Sequence, residues 1–95
     1  LKVTVESLGL PTLSGVIGKR SEIEFAGATV GDLVDHLSRR HGARVRQILL
    51  GADGVLDLTI QVMVNDDGFV PREELSRRKL EEGDRVRFML LVGGG

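Results

Sequence analysis

Leu80-Glu-Glu-Gly-Asp-Arg-Val-Arg-Phe-Met-Leu-Leu-Val-Gly-Gly-Gly95 holds a turn, a strand and a bare tail. Glu82-Gly-Asp84 carries turn chemistry. Residues 85–92 then alternate. Val86, Phe88, Leu90 and Val92 fall on one face; Arg85, Arg87, Met89 and Leu91 fall on the other. Such a strand covers a core on one side only, so its sheet takes helices on one face and leaves the other open. Gly93, Gly94 and Gly95 have no side chain to pack and read as a flexible tail, with residues 1–92 as the folded domain.

The preceding elements complete the layer. Lys2-Val-Thr-Val-Glu6 alternates, with Val3 and Val5 inward, and Ser21-Glu-Ile-Glu-Phe25 repeats the pattern with Ile23 and Phe25 inward. Gly9 to Gly18, with Pro11 and further glycines, reads as a long hairpin loop between them. Thr29 is a fitting N-cap, with Asp32 at the capping-box position, and Val30, Leu33, Val34 and Leu37 form one buried helical stripe. Arg39, Arg40 and His41 suit the last turn, and Gly42 ends it. Residues 43–57 are irregular, with Val45, Ile48 and Leu49 at a short helical turn and a loop over Gly51–Gly54. Residues 58–64 are a strand, with Ile60, Val62 and Val64 on one face and Gln61 and Met63 on the other; Asn65–Gly68 turns, and Pro71 opens a short helical piece over 72–79. Hairpin, helix, strand, connection and final strand give an α+β fold with a mixed sheet and one main helix on one face, the order of the β-grasp or ubiquitin-like fold.

Composition narrows the function classes. Ninety-five residues make one domain, and 41% hydrophobic with 28% charged residues predicts a folded chain. With three Phe, no Tyr and no Trp, aromatic stacking on single-stranded nucleic acid is not expected, and a net charge of −1 argues against a general polyanion binder. The absence of Cys excludes disulfides, a cysteine nucleophile and Cys-based metal sites, and fits a cytoplasmic setting. No apolar run reaches the ~18 residues of a membrane span. Leu1 in place of Met points to a trimmed or processed start.

The glycine tail carries the chemistry. A terminus without Cβ atoms threads a narrow channel and approaches another backbone closely. Its reactive group is the α-carboxylate of Gly95, inert until activated. Adenylation with ATP makes it an acyl-adenylate open to a sulfur or amine nucleophile, and the ATP must be held by a partner, because this chain has no phosphate-binding apparatus and no bound cofactor is expected.

Val64-Asn65-Asp66, then Leu80-Glu-Glu-Gly-Asp84, then Val86-Arg-Phe-Met-Leu-Leu-Val-Gly-Gly-Gly95, with Thr29-Val-Gly-Asp-Leu-Val-Asp-His-Leu37 upstream, resembles the MoaD/ThiS family of ubiquitin-like sulfur carriers across the whole chain. The resemblance implies an E1-like adenylyltransferase acting on Gly95, then a C-terminal thiocarboxylate that donates sulfur to a biosynthetic enzyme. The large subunit of molybdopterin synthase is the leading acceptor, and cysteine or another sulfur metabolite the next pathway. The chain is then a protein cosubstrate, not an enzyme. Gly94 and Gly95 carry over directly. Gly93 stands where many members have Ser or Ala, and Met89-Leu90-Leu91 replaces a common Pro-containing approach. Two other readings stand: a protein modifier conjugated through Gly95 to lysines, for which Lys2, Lys19 and Lys79 are not singled out as acceptors, and a non-reactive β-grasp binding module.

On the open side of the sheet, Met63, Met89 and Leu91 with Arg85 and Arg87 are expected to form a partner-binding patch beside the tail. Other signals are set aside. Gly15-Val-Ile-Gly-Lys-Arg20 fails P-loop spacing and lacks the final Ser or Thr. His36 and His41 do not share one helical face, and Asp66-Asp67-Gly68 lacks further oxygen ligands, so no metal site is expected. Arg39, Arg40, Arg44 and Arg46 read as helix termination and a solvated face, with steering toward an acidic partner as the sharper alternative. No catalytic triad or carboxylate pair stands out.

Overall fold

The computed structural model of the chain describes residues 1–51 and 56–90. Four strands, β1 (Lys2–Leu8), β2 (Arg20–Glu24), β3 (Ile60–Val64) and β4 (Arg85–Leu90), form one sheet in the order β2-β1-β4-β3. The central pair β1–β4 is parallel, and the flanking pairs β1–β2 and β4–β3 are antiparallel. Helices α1 (Pro11–Ile17), α2 (Val30–His41) and α3 (Ala43–Leu49) supply buried side chains to the core on one face. This is the β-grasp architecture that the element order predicts, with three helices in place of one.

Alternation along the strands decides which face is covered. Val3, Val5, Val62, Val64, Val86 and Phe88 are fully or almost fully buried. Against them pack Leu33 and Leu37 of α2, Val45 and Leu49 of α3, and Leu13 of α1. Apart from Phe25 and Phe88 the core is aliphatic, so it is held by close packing of branched chains rather than by aromatic stacking.

Helix α2 begins as its sequence requires. The Asp32 amide donates to Thr29 Oγ1 at 3.1 Å, and the Asp32 carboxylate accepts from the Thr29 and Ala28 amides at 3.2 and 2.9 Å. These backbone donors, Ala28 first, hold the Asp32 carboxyl below its usual range. Gly42 ends the helix at a φ of 70°, a left-handed value glycine adopts without steric cost.

Four readings change. The expected loop 9–18 is mostly α1: Pro11 sits at its start, Gly18 at its end, and Leu13 and Ile17 reach the core one turn apart. The buried hydroxyl of Ser7 accepts from Ser14 Oγ at 3.1 Å and donates to the Leu10 carbonyl, which ties α1 to β1. The third strand starts at Ile60, because Asp57 captures the Thr59 amide and hydroxyl in a turn and leaves Leu58 71% exposed. The helical piece over 72–79 shortens to one 3-10 turn, Arg72–Glu74. Leu90 has the core-facing parity yet is 42% exposed. The loop reading of Gly51–Gly54 falls largely outside the described residues, as do the last two positions of the final strand and the tail.

Candidate functional site

The open face of the sheet is built by the residues out of phase with the core. On β4 these are Arg85, Arg87 and Met89; on β3, Gln61 and Met63; on β1, Thr4, Glu6 and Leu8. The register sets Glu6 opposite Arg87 and Arg87 opposite Met63, and sets Leu8 opposite Met89 and Met89 opposite Gln61. The first row is polar with a thioether; the second is largely apolar and lies toward the end where β4 leaves the sheet.

Four predicted site residues thus come together: Met63, Arg85, Arg87 and Met89 share one face on adjacent strands, all partly buried. Leu91, Gly93, Gly94 and Gly95 lie outside the described residues. The structure adds Glu6, Leu8 and Phe69. A bridge joins Met63 to Phe69, which places Phe69, 50% exposed, beside the patch; Leu8 is 46% exposed. The sequence signal for Glu6 is the outward phase of the strand read over Lys2–Glu6; Leu8 lies beyond that reading, in the two residues by which β1 is longer, and only the parallel β1–β4 pairing says which outward residues meet.

Charge pairing organises the polar row. Arg87 Nε donates to Glu6 Oε1 at 2.8 Å, and Arg85 Nε lies 3.6 Å from the same oxygen. Arg85 Nη2 reaches Asp66 Oδ1 at 3.2 Å, and Arg87 Nη1 lies 3.9 Å from Met63 Sδ. The hydrogen bond from Arg87, with the charges of Arg87, Arg85 and Arg20, holds the Glu6 carboxyl below its usual range against the opposing effect of burial. Two arginines share the Glu6 carboxylate and Arg85 also reaches Asp66, so the charges of this row are paired within the chain and a partner carboxylate must compete for them.

A second set of bonds fixes where β3 and β4 lie. Asn65 adopts a φ of 52°, the one left-handed non-glycine position among the described residues. Its side-chain oxygen accepts from the Arg85 amide at 2.9 Å, its Nδ2 donates to Asp84 Oδ1 at 3.0 Å, and its own amide donates to the Arg85 carbonyl at 2.7 Å. Asp84 Oδ2 also accepts from the Glu81 amide at 2.8 Å. The Val-Asn and Gly-Asp pieces, nineteen residues apart, therefore form one clamp at the start of the strand that leads to the tail.

Of the groups set aside, Asp66 meets this face through Arg85, while the histidines and the arginine cluster lie on the helical layer. His36 packs against Phe25, with ring centroids 6.0 Å apart, and burial first, then the Arg40 charge, push its pKa down. Arg39, Arg40, Arg44 and Arg46 are exposed on α2 and α3. Among the described residues no three metal-ligating side chains come together, and no helix is long and apolar enough to cross a membrane.

A one-sided helical layer over a four-stranded sheet with a parallel central pair defines a ubiquitin-like β-grasp protein. The ThiS family model matches residues 12–95, and the chain belongs to the ThiS family, the ThiS/MoaD-type ubiquitin-like sulfur carriers. SAMP1 from Haloferax volcanii is similar at 25% identity, with 100% of each chain covered and a TM-score of 0.75. The crystal structure of the Amycolatopsis orientalis BexX/CysO complex includes a chain 29% identical, covering 98% of this chain and 99% of that one, with a TM-score of 0.69. A putative molybdopterin converting factor subunit 1 from Pyrococcus furiosus is 25% identical over 97% of this chain and 99% of that one, also at 0.69. No curated protein sequence matches the chain.

Proposed function

We propose that this chain carries sulfur on the carboxylate of Gly95. The observation behind the reading is the family match, which runs through Gly93, Gly94 and Gly95. An E1-like adenylyltransferase in the cytoplasm holds ATP, the Gly95 carboxylate takes the adenylyl group with release of pyrophosphate, and hydrosulfide displaces AMP to leave a thiocarboxylate. The chain is the cosubstrate. Residues 1–92 dock and 93–95 thread. Met63, Arg85, Arg87, Met89 and Leu91 form the docking face, extended by Leu8 and Phe69. The large subunit of molybdopterin synthase is the leading acceptor, with the likeness to a molybdopterin converting factor subunit in its support, and cysteine or another sulfur metabolite is the next, with the likeness to a chain of the BexX/CysO complex in its support.

A modifier role, with Gly95 joined to an amine, is the second reading. It is favoured by full-length similarity to SAMP1, a small archaeal modifier protein. Both readings share the activation step. Pyrophosphate release with the cognate activating enzyme is expected to vanish when Gly94 and Gly95 are deleted, and to fall at least tenfold in Met89→Asp at subsaturating carrier, with both variants still folded. Undiminished release from the deleted chain would remove the tail from the reaction, and wild-type behaviour of Met89→Asp would remove the open face.

A further inference from the structure

Strand β2 is the outer strand of the sheet and bonds β1 alone. Leu1 and Phe25 exchange backbone bonds, and the Ser7 amide donates to the Lys19 carbonyl. Antiparallel bonding alternates along a strand, so Ser21 and Ile23 direct their backbone groups at β1 while those of Arg20, Glu22 and Glu24 point out of the sheet. Among the described residues these outward groups have no backbone partner. Beside them runs a cleft of about 400 Å³ between β2 and α2. Val16, Ile17 and Ile23 give it an apolar floor; His36, Arg40 and His41 line the helical wall. The side chains of Glu22 and Glu24 alternate to the opposite, open side of the sheet, where Glu22 lies 3.8 Å from Lys2.

We propose that the β2 edge docks an extended segment of a partner protein, which adds a strand to the sheet and is read by charge on both faces. Side chains alternate across such a strand. On the helical side it places apolar side chains over Ile17 and Ile23 and a carboxylate at Arg40. On the open side it presents lysine or arginine to Glu22 and Glu24. A second copy of this chain fits less well: the fullest antiparallel pairing of two β2 strands sets Arg20 against Glu24 twice but Glu22 against Glu22, and the core-facing residues of its β2, Ser21 and Ile23, offer Arg40 no carboxylate. The edge lies two strand spacings from β4, roughly 10 Å, so a partner here leaves the Met63–Met89 face accessible. The proposal does not rest on thiocarboxylate chemistry.

The test is an amide-resolved NMR titration of the full chain with the peptide acetyl-Lys-Ile-Lys-Val-Lys-Asp-Lys-amide, beside the charge-reversed acetyl-Glu-Ile-Glu-Val-Glu-Lys-Glu-amide. Saturable shifts are expected at residues 20–25 and 36–41, with at least tenfold weaker binding of the reversed peptide. Glu22→Pro removes a donor on the free side and spares the β1 ladder, a position where an edge strand tolerates proline. It too should weaken binding at least tenfold. Arg40→Glu, at an exposed helical position, should weaken it at least threefold, and carries the test alone if the proline variant loses its dispersed spectrum. No saturable shift, equal binding of the two peptides, shifts centred on Met63 and Met89, unchanged affinity in the folded variants, or a peptide-independent dimer through this edge by sedimentation would each overturn the proposal.

Discussion

Asn65 shows how one side chain sets the frame for the tail. Its left-handed backbone costs a residue with a Cβ about 1 kcal/mol or more, and its amide group returns that cost through bonds to the Arg85 amide and Asp84. Asn65→Ala keeps the strain and loses the bonds, so it should destabilise the fold by about 2–3 kcal/mol in urea unfolding. Asn65→Gly should recover about 1 kcal/mol of that. Glu6 couples folding to pH. Its folded pKa lies below the ordinary 4.5, so its contribution is present above that pH and is lost as pH falls through the folded value. The urea midpoint should therefore drop below about pH 4.5, and Glu6→Gln should show a shallower drop than the wild type. Equal slopes would show that the Glu6–Arg87 pair does not couple to folding.

Helix α1 is the element that alternation and periodicity concealed. Seven residues span barely two turns, too few to show a period, and Pro11 and Gly15 both read as loop signals. The legible clues were positional: proline at the helix start, glycine just past its end, and Leu13 and Ile17 one turn apart. Gly15 has nothing within 4 Å of where a Cβ would stand. Gly15→Ala should stabilise the protein by about 0.5–1 kcal/mol by denaturant titration; destabilisation would mean that α1 is not a regular helix in solution. Helix α2 was legible end to end, because Thr29, Asp32 and Gly42 punctuate a clean apolar stripe. The site was half legible. Strand phase assigned Met63, Arg85, Arg87 and Met89 to one face, but phase is local. The pairing of Glu6 with Arg87 joins residues 81 positions apart through the sheet, and no single segment encodes it; Phe69 reaches Met63 six positions away, across the Asn65–Gly68 turn.

Across the whole molecule, function is divided by face. Helices close one side of the sheet over an aliphatic core, and the open side gathers a shared-carboxylate arginine row and an apolar row beside the end of β4. The parallel β1–β4 pair sits at the centre, so the strand that leads to Gly93–Gly95 is held by neighbours on both edges. A terminus is positioned for another protein's active site only if the strand before it is fixed, and the Asn65–Asp84 clamp supplies that at the far end of β4. Whether Gly95 carries sulfur is read most directly from the intact mass of the chain after incubation with ATP, a sulfur source and its activating enzyme. A gain equal to the exchange of one oxygen for one sulfur is expected, localised to Gly95 and lost when Gly95 is deleted; an unchanged mass beside an activating enzyme that turns over another carrier would exclude the carrier role.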